Sequence, residues 1–583
     1  MASLNPWGKL DELDNERLMA RRKTRKRIII IAISSIVLVS IVIGAVVGGV
    51  SHNKNKSSQQ NDNVSSMTST ISAVCNLTLY PDSCISSLSP YAAKGNALKP
   101  QDIYKMSVLV ALNELSGASD NFLKSDTFKN INDPAAAKAI QSCHELLSLA
   151  FDHLNDTLSV AETSLLDAFD DLKTWLSSAG TYQQTCIDSF ENVTSNSAIR
   201  KAAGQNLNNS TRYTSNSLAL ISSLENSITS LGAIGKRRRL MGYGDDDDDD
   251  EYPSWLSSSN DRKLLQKSSE TKIKVNVVVA KDGSGKYKSI KAALKAAPEK
   301  SKKRFVIYVK KGVYKENVRV EKTKWNIMII GDGKDATIVS GNRNFIDGTP
   351  TFQSATFAVF GKGFLARDIG FVNTAGAAKH QAVALMSTAD ESVFYRCRMD
   401  AFQDTLYAHS NRQFYKECDI YGTVDFIFGN SAVVLQNCNI LPRIPMSGQQ
   451  NTITAQGKVD PNQNTGISIQ NCSVMPWGNL TGINTFLGRP WKNYSTTVFM
   501  ESNLGGFIHP NGWMPWVGTT APSTIFYAEY NNTGAGANTK NRVNWEGLKL
   551  GLTSKIASKF TVKPFIQGNK WLPAAGVPFM AGL

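Results

Sequence analysis

The sequence predicts a multidomain protein in which an all-α helix bundle precedes an all-β solenoid of parallel coils. Three observations carry this. Between about residues 66 and 230, apolar residues recur at spacings of three and four, and no strand pattern interrupts them. From about residue 269 onward, short runs rich in β-branched and aromatic residues alternate with Gly and Asn corners. Four of those runs rhyme: SVFYRCRMD, RQFYKECDI, AVVLQNCNI and GISIQNCSV, around Cys397, Cys418, Cys438 and Cys472, and the first two steps are 21 and 20 residues. Strands that recur at a period in the twenties indicate a solenoid, with coils stacked about 4.8 Å apart.

The 583 residues have room for two or three domains, and 42% hydrophobic with 19% charged content fits globular domains rather than disorder. Residues 1–27 form a polar, basic tail ending in RRKTRKR, expected to stay cytoplasmic. Residues 28–50 are 23 residues without a charge, long enough to span a bilayer, and predict a signal anchor. A polar stalk follows at 51–65. Ten Asn-x-Ser/Thr sequons fit a lumenal or secreted chain, where disulfides are permitted.

The helical region spans 66–231, with clear periodicity in 102–124, 135–161 and 214–231. Cys75 and Cys84 bracket a turn at Pro81, and Cys143 and Cys186 lie on separate helices that they are placed to staple. His144 and His153 are isolated on helices and predict structural or solvent roles rather than a metal site. Residues 232–268 predict a linker: KRRRL (236–240) and RKLL (262–265) are basic sites open to a processing protease, and Asp245–Asp250 is a solvated spacer. Residues 269–583 read as strand and turn throughout, apart from one helix at 288–299. DGSGKY (282–287) lacks the Gly-Lys-Ser/Thr ending of a phosphate loop and predicts a turn.

Charge divides unevenly. The first 270 residues carry 27 basic against 30 acidic side chains, the rest 37 against 19. A basic exported region points to an anionic partner such as acidic polysaccharide, and export makes nucleic acid the least expected one.

Residues 381–429 hold the candidate chemistry. Gln381, Asp404 and Asp425 follow one another at 23 and 21 residues, so one coil per period predicts a column with the two carboxylates roughly 5 Å apart. Asp425 lies among Val424, Phe426, Ile427 and Phe428, where a carboxylate is costly unless paired or functional. Two carboxylates so close hold one protonated and one ionised, as acid and nucleophile. The amides of Gln381 and Gln403 can hold a developing oxyanion. A structural ladder of polar side chains is the alternative. In LGRPW (487–491), Arg489 can hold a carboxylate bidentately and Trp491 can stack on a sugar face; a surface arginine and a core tryptophan fit equally well. Trp513 and Trp516 in NGWMPW predict core packing.

GVYKEN (312–317), QAVAL (381–385), QDTL (403–406), DFIFG (425–429) and LGRPW (487–491) together resemble the signature blocks of plant pectin methylesterases, in their order and over about 315 residues. The helical region resembles the pectin methylesterase inhibitor-like pro-domain that precedes many of these enzymes. The resemblance implies a four-helix bundle followed by a right-handed parallel β-helix. It implies hydrolysis of galacturonate methyl esters in pectin, without metal or cofactor. Asp425 is then the nucleophile, Asp404 the proton donor and later base, and Gln403 the transition-state stabiliser. Gln381, Arg489, Trp491 and, by a weaker match, Thr351 bind substrate. It also implies disulfides Cys75–Cys84, Cys143–Cys186 and Cys418–Cys438, with Cys397 and Cys472 free. Further implications are a proteinaceous inhibitor of the pro-domain's own fold as partner, and an anchored precursor processed and secreted to the cell wall. Another β-helix polysaccharide enzyme, a polygalacturonase or pectate lyase, is the alternative, as are a retaining glycosidase and a wall-binding protein without activity.

Overall fold

The structure is a computed structural model that describes residues 69–92, 99–124, 128, 133–191, 197–237 and 273–583. The expected tail, anchor and stalk, and residues 238–268 of the expected linker, lie outside the described residues; its first residues, 232–237, continue a helix instead. Among the described residues no helix is long and apolar enough to cross a membrane.

The helical region contains α1 (Pro81–Ala92), α2 (Pro100–Lys124), α3 (Pro134–Ser164), α4 (Phe169–Asp188) and α5 (Ser197–Arg237). Local chemistry starts α3: Asp133 caps it by accepting the Ala135 N–H at 2.8 Å, and Pro134 opens the first turn, where no backbone N–H is needed. Buried residues then recur at helical spacing: Ala136, Ala139, Cys143, Leu146 and Ala150 on α3, and Leu172, Leu176, Ala179, Tyr182 and Cys186 on α4. Disulfides join Cys75 to Cys84 and Cys143 to Cys186, the second tying α3 to α4.

Contacts divide the chain into two units. One reaches to Val110 and resumes at Ala219–Asp247; the other comprises Ala111–Leu218 and Asp248–Leu583. The second unit therefore holds α3, α4 and the whole solenoid.

The solenoid is built from three sheets of eleven, eight and seven strands, each coil contributing one strand to a sheet and every pairing parallel. A helix, Ile290–Ala296, closes the first coil, with Ser289 as its cap and Glu316 accepting the N–H groups of Ile290 and Lys291. The interior is a continuous apolar core in which like stacks on like, as where Phe394 and Tyr415 lie parallel with centroids 4.8 Å apart. Corners repeat as well. Asp368, Arg396, Glu417, Asn437, Asn471, Glu501 and Asn531 each end a strand of the eleven-stranded sheet in the left-handed region, with φ between 49° and 56°.

Two expectations are corrected here. Residues 554–575 form short helices rather than strands, with Val562, Ile566, Trp571 and Leu572 packed against the outer face of the eleven-stranded sheet. The longest of them has eight residues, too few for helical periodicity to register. Cys418 and Cys438 are free buried thiols, as are Cys397 and Cys472. The four stand one above another, each just ahead of a strand of the eight-stranded sheet. Each sulfur is satisfied by a main-chain carbonyl instead: Cys418 Sγ donates to Phe394 O at 3.3 Å and Cys438 Sγ to Tyr415 O at 3.5 Å.

Candidate active site

The site forms along the seven-stranded sheet. Leu406 and Ile427 are register partners, and Asp404 and Asp425 each stand two residues ahead of them. The aspartates are thus equivalent positions on adjacent coils, about 4.8 Å apart by strand spacing. Both have left-handed backbones, φ 61° and 51°, as the corner residues of the eleven-stranded sheet do. Gln381 departs from the expected column. It precedes Leu385, the partner of Leu406, by four residues, so Val383 holds the equivalent place and Gln381 enters from the preceding loop.

Both carboxylates are buried, and their surroundings differ. Arg489 grips Asp425 bidentately, Nε to Oδ1 at 2.8 Å and Nη2 to Oδ2 at 2.6 Å, while the Thr452 hydroxyl donates to Oδ1 at 2.6 Å. Asp404 has no such clamp. Burial first, and then the negative charge of Asp425, hold its carboxyl well above the usual carboxylate range, with Arg489 opposing. Asp404 therefore holds its proton more tightly than an ordinary aspartate, beside a carboxylate that Arg489 and Thr452 orient. The side-chain carbonyl oxygen of Gln381 is buried without a hydrogen-bond partner.

All seven predicted residues, Thr351, Gln381, Gln403, Asp404, Asp425, Arg489 and Trp491, line one cavity of about 420 Å³, a size that suits small-molecule recognition. Its aromatic wall includes Tyr407 stacked on Phe428 at 4.1 Å, and Trp491 with Trp516 at 6.4 Å. Trp513 is in the core, as expected. Trp516 is not: it lines the cavity, 4.3 Å from the Arg489 guanidinium. Gly457 makes room for Trp491, because a Cβ there would lie 2.8 Å from the indole ring. Sequence reasoning missed Thr452. Its coil is lengthened by the loop at residues 443–450, so the step from Asp425 to Thr452 is 27 residues rather than 21.

The helical segment reaches the same cavity. Ala135, Thr185, Asp188, Ser189 and Glu191 also line it. A buried polar network holds α3 and α4 there. The Ser178 hydroxyl donates to Asn411 Oδ1 at 2.9 Å, His153 Nε2 lies 3.1 Å from that oxygen, and Tyr182 shares hydrogen bonds with Thr388 and Ser410. Thr185 pairs with His409 at 2.9 Å; burial lowers the His409 pKa to about 3, so the ring is neutral. Ion pairs Arg412–Asp171 and Lys492–Asp188, both 2.8 Å, flank the network.

Residues 276–569 match the pectinesterase family profile, and residues 69–220 that of the plant invertase/pectin methylesterase inhibitor. Fold, site and profile together place the chain in the pectinesterase family, in the form that carries an inhibitor-type domain ahead of the enzyme domain. Among its relatives, probable pectinesterase/pectinesterase inhibitor 46 of Arabidopsis thaliana is 56% identical over 582 residues, 99% of each chain. Pectinesterase 3 of Phaseolus vulgaris is 48% identical, covering 99% of this chain and 98% of the relative. The solved pectin methylesterase from carrot is 55% identical with a TM-score of 0.53, covering 54% of this chain and 100% of its own. All of that carrot chain matches within 54% of this one, so in the carrot protein a chain of that extent folds by itself.

Proposed function

We propose that this protein hydrolyses the methyl esters of galacturonate units in pectin by covalent acyl transfer, releasing methanol and leaving de-esterified pectin. The observation that carries the reading is the unequal pair: Asp425 gripped bidentately by Arg489, beside a buried Asp404 whose carboxyl is held well above the usual carboxylate range. The Asp425 carboxylate attacks the C6 ester carbonyl. The side-chain amides of Gln403 and Gln381 receive the oxyanion. As the C–OCH₃ bond breaks, Asp404 gives its proton to the departing methoxide, which leaves as methanol. Asp404, now ionised, takes a proton from water while the hydroxide adds to the acyl carbon. The product acid leaves, Asp425 regains its carboxylate and Asp404 its proton. Arg489 holds Asp425 aimed through two hydrogen bonds, and Trp491, Trp516 and Thr351 seat the sugar chain.

The test uses residues 269–583 on methylated pectin. Asp425→Asn and Asp404→Asn each lower methanol release by about three orders of magnitude or more with the fold unchanged. Near-wild-type release from either folded variant sinks the assignment. Chain shortening without methanol would move the activity to a polygalacturonase or lyase.

The sequence pattern supports a processing scheme of anchor at 28–50, helical inhibitor-type region from 66 to the end of α5 at Arg237, cleavable linker from there to 268 and enzyme at 269–583. The uncharged run behind a basic cluster favours an anchored precursor in the secretory pathway, and the basic linker sites favour release to the cell wall by a protease. Within the uncut chain, the helical segment silences the enzyme by lining its cavity; its supports are Thr185, Asp188, Ser189 and Glu191. A separate protein of the same inhibitor fold is expected to meet the same face.

A further inference from the structure

Lys492 directly follows the sugar-seating Trp491 and has no role in the scheme above. Its ammonium lies 5.1 Å from the Trp491 ring and 2.8 Å from Asp188 Oδ1. With Asp188 present, only 17% of the Lys492 side chain is exposed. Lys492 and Asp188 share a small cleft with Thr185, Tyr407 and Trp491. Tyr407 and Trp491 also line the catalytic cavity, so the cleft adjoins it along the groove. The acidic groups that interact with Lys492, Asp188 and Glu191, both come from the helical segment. Among the described residues, the solenoid itself supplies no ion-pair partner for this lysine. Arg489, the neighbouring cation, is committed to Asp425. A solenoid freed of the helices would therefore present one unpaired ammonium at the edge of its aromatic groove, already shown to fit a carboxylate.

We propose that Lys492 is a subsite for the free carboxylate of a de-esterified galacturonate unit flanking the ester to be cut, a place that Asp188 fills in the uncut chain. The inference rests on the esterase reading above. A methyl galacturonate unit is neutral at C6, and a galacturonate unit is an anion. A lone ammonium beside the cavity distinguishes them by a charge-assisted hydrogen bond that only the acid makes. The product of one turnover thus becomes the favoured neighbour of the next ester.

The test measures methanol release by residues 269–583 on two oligogalacturonide sets, one fully methylated and one carrying free acid units beside the esters. The wild type shows a KM about tenfold lower on the second set. Lys492→Gln abolishes that ratio, Lys492→Glu inverts it, and Lys492→Arg retains it. Trigalacturonate, added as a competing acid, inhibits the wild type and the Arg variant more strongly than the Gln variant. If the wild type releases methanol but the Gln variant keeps its KM ratio and its sensitivity to trigalacturonate, the subsite is overturned and the esterase reading stands. If the wild type releases no methanol from either set, both fail.

Discussion

At the residue scale, two aspartates one coil apart are set in unlike surroundings. Asp425 has a bidentate guanidinium and a hydroxyl donor; Asp404 has burial and a nearby negative charge. This difference has a consequence for stability. The folded-state pKa of Asp404 is raised above its unfolded value, so the folded protein binds that proton more tightly. The stabilisation is complete below the unfolded pKa, about 3.9, and is lost as pH rises through the raised folded value. Asparagine has no such proton to lose. The melting temperature of Asp404→Asn should therefore exceed that of the wild type at pH 7, with the gap closing toward pH 4. Thermal unfolding across that range checks it, and a gap independent of pH would contradict the charge separation. Asp404 and Asp425 were legible in the sequence because each keeps the coil period and sits in an apolar run. Thr452 was not, since the longer coil breaks the period, and neither was the place of Trp516, since a tryptophan reads the same in a core and in a groove.

At the scale of the element, the seven-stranded sheet positions the site because its coils are held in register by side chains and by missing side chains. Gly429 closes the DFIFG run with φ +125°, and a Cβ there would stand 2.1 Å from the Ala408 carbonyl oxygen of the coil before it. Gly429→Ala should destabilise the solenoid by about 3 kcal/mol or more, from the strained backbone and the overlap together. Denaturant unfolding of the 269–583 fragment measures this, and a loss within experimental error of zero would mean that the coils are not locked at this point. Strand positions were legible from rhyming segments and Gly or Asn corners. The helices at 554–575 escaped because each is too short for its apolar spacing to separate from a strand pattern. The expected Cys418–Cys438 bridge came from resemblance alone; in the coil stack each thiol already has a carbonyl to donate to.

At the scale of the whole molecule, α3 and α4 are bound to the solenoid by a network that hydrogen-bonds Tyr182, Ser178 and His153 to Thr388, Ser410 and Asn411. Tethering makes such docking intramolecular, so modest contacts suffice to close the cavity. An anchorless chain with Lys236–Arg239 and Arg262–Lys263 changed to alanine should show at most about one-tenth of the specific activity of the 269–583 fragment. Adding Tyr182→Ala and Asp188→Lys to that uncut chain should restore most of it, by opening the network and setting Lys492 against a like charge. Methanol assays on the three proteins settle the matter, and equal activity in the uncut chain and the fragment would exclude silencing by the helical segment.

The sequence by itself determined the two architectures, their order and the family, and it picked out seven residues that the structure gathers in one cavity. Helical periodicity, coil period and short signature runs are local properties, written within a few dozen residues. Tertiary structure decided what those residues do to one another. Arg489 meets Asp425 across 64 positions and Lys492 meets Asp188 across 304. Such pairs are created by stacking coils and by laying two helices over them. No spacing in the chain encodes them, because each depends on where several turns of unequal length bring the backbone.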